Sequence, residues 1–110
     1  MEIGIDIIEV KRIAKLIRNK SFLKRVFTDQ EIEYCSKKVN KAEHYAVRFA
    51  TKEAVWKALG MGGISLKHIS VKNLPSGKPE ALIKGKIRKD IAISLSHTEN
   101  YAAAVAIISK

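Results

Sequence analysis

Arg48-Phe49-Ala50-Thr51-Lys52-Glu53-Ala54-Val55-Trp56-Lys57-Ala58-Leu59-Gly60 is the stretch whose reading decides the fold. It reads as the second half of a helix over residues 40–60, ended at Gly60 because a glycine suits the left-handed stop. At about 100° per residue, Ala42, Ala46, Phe49, Ala50, Glu53 and Lys57 fall on one side of that helix. Glu53 therefore stands among apolar neighbours, with Lys57 one turn further along. A carboxylate so placed has to be paired, protonated or bound to a cation, because leaving it dry and unpaired is costly. One reading is an intrahelical Glu–Lys pair, worth a few tenths of a kcal/mol when exposed. The other is a functional site. The rest of the chain decides between them.

With 110 residues and 46% hydrophobic content, residues 1–110 form one small domain with a single core. So short a chain buries a modest share of its surface, which makes self-association a natural way to complete the core and build a cleft. The formal charge of +10 calls for an acidic partner: nucleic acid, an anionic membrane surface, a phosphorylated small molecule or an acidic protein. The single Cys35 excludes an internal disulfide and has no companion at metal-ligand spacing, so the expected compartment is the cytoplasm. The opening residues have neither the basic start nor the long apolar run of a signal peptide. No stretch approaches the ~20 apolar residues of a membrane span.

Residues 2–8 predict a strand in which Ile3, Ile5 and Ile7 alternate with Glu2, Gly4 and Asp6. Asp6 projects from the face opposite the isoleucines, beside the bare backbone of Gly4, which leaves room for a ligand or a closely packed helix. Residues 9–19 predict a helix with Val10, Ile13, Ala14, Leu16 and Ile17 as its apolar set and Lys11, Arg12, Lys15 and Arg18 turned outward. Residues 21–27 continue with a short helical turn, and the repetition of cations around Leu16, Phe22 and Val26 suggests a protein-docking surface. Thr28-Asp29-Gln30-Glu31 is a capping box that opens a helix running to about Ser36. A basic connection over 37–41 leads into the central helix, and the glycine-rich segment 60–63 follows it. That segment lacks the spacing of a phosphate-binding loop.

From there the pattern changes to strands. Residues 68–74 and 80–84 flank the turn Pro75-Ser76-Gly77-Lys78-Pro79. Residues 91–97 place Ile91, Ile93, Leu95 and His97 on one face, and 101–108, apolar on both faces, reads as a buried strand. The expected fold class is α+β: an N-terminal strand and helices followed by an antiparallel β-meander.

Three motifs together resemble the holo-[acyl-carrier-protein] synthases, the small phosphopantetheinyl transferases. They are Gly4-Ile5-Asp6-Ile7-Ile8-Glu9, then Arg48-Phe49-Ala50-Thr51-Lys52-Glu53-Ala54 with Lys57-Ala58 and Gly60, then Ser94-Leu95-Ser96-His97-Thr98 followed by Tyr101-Ala102-Ala103-Ala104. The Phe27-Thr28/Glu31 box and the Gly77-Lys78-Pro79 turn also fit, and the resemblance covers essentially the whole chain in order. It implies the phosphopantetheinyl transferase fold and transfer of 4′-phosphopantetheine from coenzyme A to a serine of apo-acyl carrier protein. That reaction would release adenosine 3′,5′-bisphosphate and serve fatty acid biosynthesis.

By the same resemblance Asp6 and Glu53 are expected to be Mg²⁺ ligands, which accounts for an acid on the apolar stripe; Mg²⁺ commonly takes one or two carboxylates plus phosphates and waters. Lys57 is expected at the pyrophosphate, making Asp6, Glu53 and Lys57 the catalytic set. Arg48 and His97 resemble positions near the 3′-phosphate of coenzyme A, and Gly77, Lys78 and Pro79 the turn against its adenine. The proton acceptor for the serine is left between a metal-bound water and a carboxylate. The family is typically a trimer with active sites at subunit interfaces, and its acyl carrier protein partner is acidic. Arg12, Lys15 and Arg18 would meet the carrier's carboxylates, with Leu16, Phe22 and Val26 as apolar contacts, while Asn19 and Ser21 occupy a region often more basic in relatives.

The charge alone also admits a small nucleic-acid-binding module. Against it, the three Phe, three Tyr and one Trp form no basic–aromatic stacking platform. Asp6 and Glu53 would also repel phosphate unless a cation bridged them.

Overall fold

The structure, a computed structural model, describes residues 1–60, 62–73 and 75–109. Met61 of the glycine-rich segment and Leu74, the expected end of a strand, lie outside the described residues. The chain runs β1 (Glu2–Glu9), α1 (Val10–Leu16), α2 (Lys20–Val26), α3 (Asp29–Ser36), α4 (Lys41–Ala58), then a short 3-10 turn (Leu66–His68) and the strands β2 (Ile69–Asn73), β3 (Pro79–Ile83), β4 (Lys86–Ile87), β5 (Ile91–His97) and β6 (Tyr101–Ile108). The α+β class holds.

Local chemistry accounts for the helix boundaries. The Asn19 side chain accepts from the amides of Ser21 and Phe22, so it caps α2 and separates it from the shorter α1. At α3 the predicted capping box is complete: Glu31 N donates to Thr28 Oγ1 at 3.1 Å and Thr28 N to Glu31 Oε1 at 2.9 Å. α4 ends on Leu59, and Gly60 takes the left-handed conformation with φ 93°.

The strands divide into two antiparallel three-stranded sheets, β1-β6-β5 and β2-β3-β4, rather than one meander. The opening strand joins the closing hairpin, with Asp6 opposite Ala104 and Ala104 opposite Leu95. β4 is a two-residue strand beyond the expected set, reached through Lys84 and Gly85, both at positive φ.

α4 lies across the inner face of the β1-β6-β5 sheet, where Ala46, Ala50, Ala54, Ala102, Ala104 and Ala106 are all buried. Small side chains on both surfaces let the two backbones approach. The approach is closest at Gly4: a Cβ there would fall 1.9 Å from the Ala54 carbonyl oxygen and 2.8 Å from the Ala58 amide nitrogen. Gly4 and Ile8 face inward and Asp6 is half-buried on the same side, so Ile3, Ile5 and Ile7 form an exposed row on the other.

Phe22 and Val26 belong to the core and not to the docking surface expected of them. Both are buried, and the Phe22 ring packs edge-on to Phe27 at 6.2 Å and against Phe49 at 6.1 Å. Their cationic neighbours stay outside because α2 turns one face to α4. Cys35 is buried and unpaired, and burial pushes its thiol up to about 11, so it stays protonated at neutral pH.

One element of the core was invisible in the sequence. Lys52 is fully buried, with its ammonium 2.7 Å from Glu31 Oε1 and donating to the carbonyls of Leu66 and Ile69. Burial pulls the Lys52 ammonium below its usual range and the Glu31 carboxylate pushes back. One cation thus ties α3, α4 and the start of β2 together, immediately beside Glu53.

Candidate active site

Gly4 decides where the site is. Because nothing projects from it, the last turns of α4 settle onto β1 and bring Lys57 and Glu53 to Asp6. Lys57 Nζ donates to the Ile5 carbonyl at 3.0 Å and lies 3.4 Å from Asp6 Oδ1. Glu53, one turn earlier, is half-buried. Its carboxyl is raised above the usual carboxylate range, first by burial and then by the negative charge of Asp6, with Lys57 and Arg12 opposing. The structure therefore brings Asp6, Glu53 and Lys57 together.

A carboxylate whose ionisation is disfavoured by burial and by a neighbouring carboxylate is suited to holding a hard divalent cation. Among the described residues no three His, Cys, Asp or Glu converge as a ligand set. An ion at Asp6 and Glu53 would take the rest of its shell from water and substrate, the habit of Mg²⁺ rather than of a structural zinc. Beside Glu53 opens a cleft of about 250 Å³ lined by Trp56, Ile64, Ser65 and Leu66 and largely apolar.

A second group gathers at the other end of α4. His97 Nδ1 lies 2.9 Å from Glu43 Oε1, and the His97 and His44 rings are 6.0 Å apart. Burial, then Arg48 and His97, lower the His44 imidazole below its ordinary value. Arg48 and Tyr34 border a cleft of about 560 Å³ whose far wall is Ser70, Lys72, Asn73 and Leu82. Asn73 Nδ2 donates to the Gly77 carbonyl at 3.1 Å, so the turn bearing Gly77, Lys78 and Pro79 is anchored to the edge of that cleft. Gly77 sits at φ 88°, a conformation that favours glycine.

The structure does not bring the two groups to each other. Asp6 is on β1 and His97 on β5, with β6 between them, which sets them about 9–10 Å apart across the sheet before their offset along it. Both face the side covered by α4 but meet it at opposite ends, His97 at Glu43 and Asp6 at Lys57. Arg12 and Lys15 on α1 and Arg18 just beyond it are exposed and Leu16 is half-buried, so the cationic part of the expected docking face stands at the surface. Sequence reasoning missed Lys52, Tyr34, His44 and Glu43. The spacing of Glu43, His44 and Arg48 on one helix was the available signal for the last two.

Fold and site together define an α+β domain with a strand–helix carboxylate pair beside a lysine. The family model described as "4'-phosphopantetheinyl transferase superfamily" matches residues 2–106. The holo-[acyl-carrier-protein] synthase of Geotalea daltonii is 42% identical over 120 residues, covering 97% of this chain and 96% of that protein. The one from Thermodesulfovibrio yellowstonii is 46% identical over 110 residues, covering 97% and 96%. Among solved structures, the holo-(acyl-carrier-protein) synthase of Bacillus anthracis in complex with CoA (3',5'-ADP) is 35% identical with a TM-score of 0.80, covering 97% of this chain and 94% of that one. The chain belongs to the 4′-phosphopantetheinyl transferase superfamily and, within it, to the holo-[acyl-carrier-protein] synthases.

Proposed function

We propose that the chain transfers the 4′-phosphopantetheine group of coenzyme A to a serine hydroxyl of an acidic apo-acyl carrier protein, releasing adenosine 3′,5′-bisphosphate, in support of fatty acid biosynthesis in the cytoplasm. The observation that carries this reading is the meeting of Asp6, Glu53 and Lys57 where α4 rests on Gly4. Asp6 and Glu53 hold Mg²⁺, which when bound supplies charge stabilisation at the pyrophosphate oxygens. The serine oxygen forms its bond to the phosphorus that carries pantetheine as the bond to the nucleotide phosphate breaks, and the hydroxyl proton passes to water or to a carboxylate of the site. Positive charge fixed near the leaving phosphate lowers the barrier, and Lys57 provides it. The largely apolar cleft of Trp56, Ile64 and Leu66 beside Glu53 suits the pantetheine arm.

Arg48 and His97 hold the 3′-phosphate, with Gly77, Lys78 and Pro79 against the adenine. Since this group and Asp6 sit at opposite ends of α4 within one chain, the reading completes the site between copies, the β1 edge of one meeting the β5 edge of the next. Such a head-to-tail contact closes into a ring, and a homotrimer is the assembly proposed. The exposed row of Ile3, Ile5 and Ile7 supports it, since a contiguous apolar face marks an interaction surface. The carrier docks on Arg12, Lys15, Leu16 and Arg18, a cationic surface that raises the association rate.

The test is incubation with coenzyme A, Mg²⁺ and apo-acyl carrier protein. The reading expects the carrier to gain the mass of one phosphopantetheine group, and to gain nothing in chelator. No adduct, with salt-dependent retention of DNA or RNA instead, would favour the nucleic-acid reading.

A further inference from the structure

Tyr34 has no part in the core and is 46% exposed, yet three side chains converge on its ring. The Arg48 guanidinium carbon and the Lys38 ammonium each lie 4.5 Å from its centroid, and the His44 ring meets it edge-on at 5.9 Å. Arg48 has no carboxylate partner among the described residues: Glu43 is held by His97, Glu33 by Lys37 and Glu31 by Lys52. Among the described residues its side-chain hydrogen bond is a long one, from Nη1 to the His44 carbonyl at 3.4 Å.

A ring and a carboxylate fix an arginine with opposite consequences. A carboxylate would neutralise the guanidinium and occupy its in-plane donors. An aromatic face attracts the cation through its quadrupole while leaving those donors free. The free donors are the ones that bind phosphate in a bidentate fork. Tyr34 and Arg48 both line the 560 Å³ cleft, so an anion entering it meets an arginine already held and not yet neutralised.

We propose that Tyr34 is a positioning residue for Arg48, and that through it the chain sets its preference for a donor bearing a 3′-phosphate on the ribose. The inference rests on the reading of Arg48 as the group that meets that phosphate. In the absence of the ring, Lys38 and Arg48 repel each other and the arginine side chain spreads over many rotamers.

The experiment compares coenzyme A with 3′-dephospho-coenzyme A as donors in steady-state transfer, using the wild-type chain, Arg48→Ala, Tyr34→Leu, Tyr34→Gln and Tyr34→Phe, each checked by thermal melting. Tyr34→Leu and Tyr34→Gln are expected to raise KM for coenzyme A about two- to fivefold at unchanged kcat, the range of an exposed cation–π contact. They leave KM for the dephospho donor unmoved, and Tyr34→Phe, which keeps the ring, behaves as wild type. Equal shifts for both donors, no shift in either, or a Tyr34→Phe variant as impaired as Tyr34→Leu would each overturn the proposal. If the wild-type chain and Arg48→Ala treat the two donors alike, the reading of Arg48 fails as well, and that result is distinct from a failure confined to Tyr34.

Discussion

Gly4 and Ala54 touch backbone to backbone: the space a side chain at Gly4 would need is filled by the Ala54 carbonyl. Both carboxylates of the candidate site depend on this contact, because it sets how far Asp6 stands from α4. Gly4→Ala is expected to push helix and strand apart and to destabilise the chain by about 1–3 kcal/mol or more. Transfer activity should fall further than the loss of folded protein explains. Urea denaturation with activity measured per folded molecule checks this.

Glu53 carries a test through pH. Its folded-state carboxyl is raised, so the folded chain binds more protons there than the unfolded one, and its ionisation costs stability as pH rises from the ordinary glutamate value through the raised one. Glu53→Gln should therefore melt no lower than wild type at neutral pH without Mg²⁺, although it abolishes transfer. The stabilisation that Mg²⁺ gives the wild type should be present at neutral pH, fade as pH falls through the raised value, and be absent in Glu53→Gln. Melting curves with and without Mg²⁺ across pH read all three.

The buried pair of Lys52 and Glu31 makes a stability prediction. Lys52→Met strands a carboxylate in the core, and breaking such a pair costs about 3–5 kcal/mol. The double variant Lys52→Met/Glu31→Met removes both charges and should recover much of that loss. Denaturation midpoints of the two variants are the comparison.

Arg12 and Phe22 separate docking from packing. Arg12→Glu should slow capture of the carrier protein at low salt and leave the melting temperature near wild type. Phe22→Ala should instead cost about 3–5 kcal/mol of stability, since its ring is in the core. Stopped-flow association at two salt concentrations distinguishes them.

The isoleucine row tests the assembly. Ile5 is 67% exposed in the single chain, so Ile5→Glu should leave the monomer fold intact while shifting the assembly to monomers and reducing transfer at low protein concentration. Light scattering measures the mass directly.

The sequence made some of this legible and hid the rest for physical reasons. Helix period, the Thr28–Glu31 box and the Gly60 stop are local signals, and the structure reproduces each. Alternation in β1 placed Asp6 opposite the isoleucines, and the structure agrees. What local patterns do not carry is partnership across the chain. Lys52 reads as one more surface lysine, because its partner Glu31 and the Leu66 and Ile69 carbonyls come from other elements. Phe22 and Val26 lie among cations in sequence, but the side of α2 they occupy faces α4. The split into two sheets depends on β1 pairing with β6 at the far end of the chain, and β4 is too short to show a period.

The central claim is that Asp6 and Glu53 share a divalent ion that the transfer requires. The most direct test is the rate at which the carrier acquires phosphopantetheine, followed by intact mass, as Mg²⁺ is titrated into wild type and Glu53→Gln. The account predicts saturable Mg²⁺ dependence in the wild type and no transfer at any Mg²⁺ concentration in Glu53→Gln. A Glu53→Gln chain that turns over near the wild-type rate with the same Mg²⁺ dependence would contradict it.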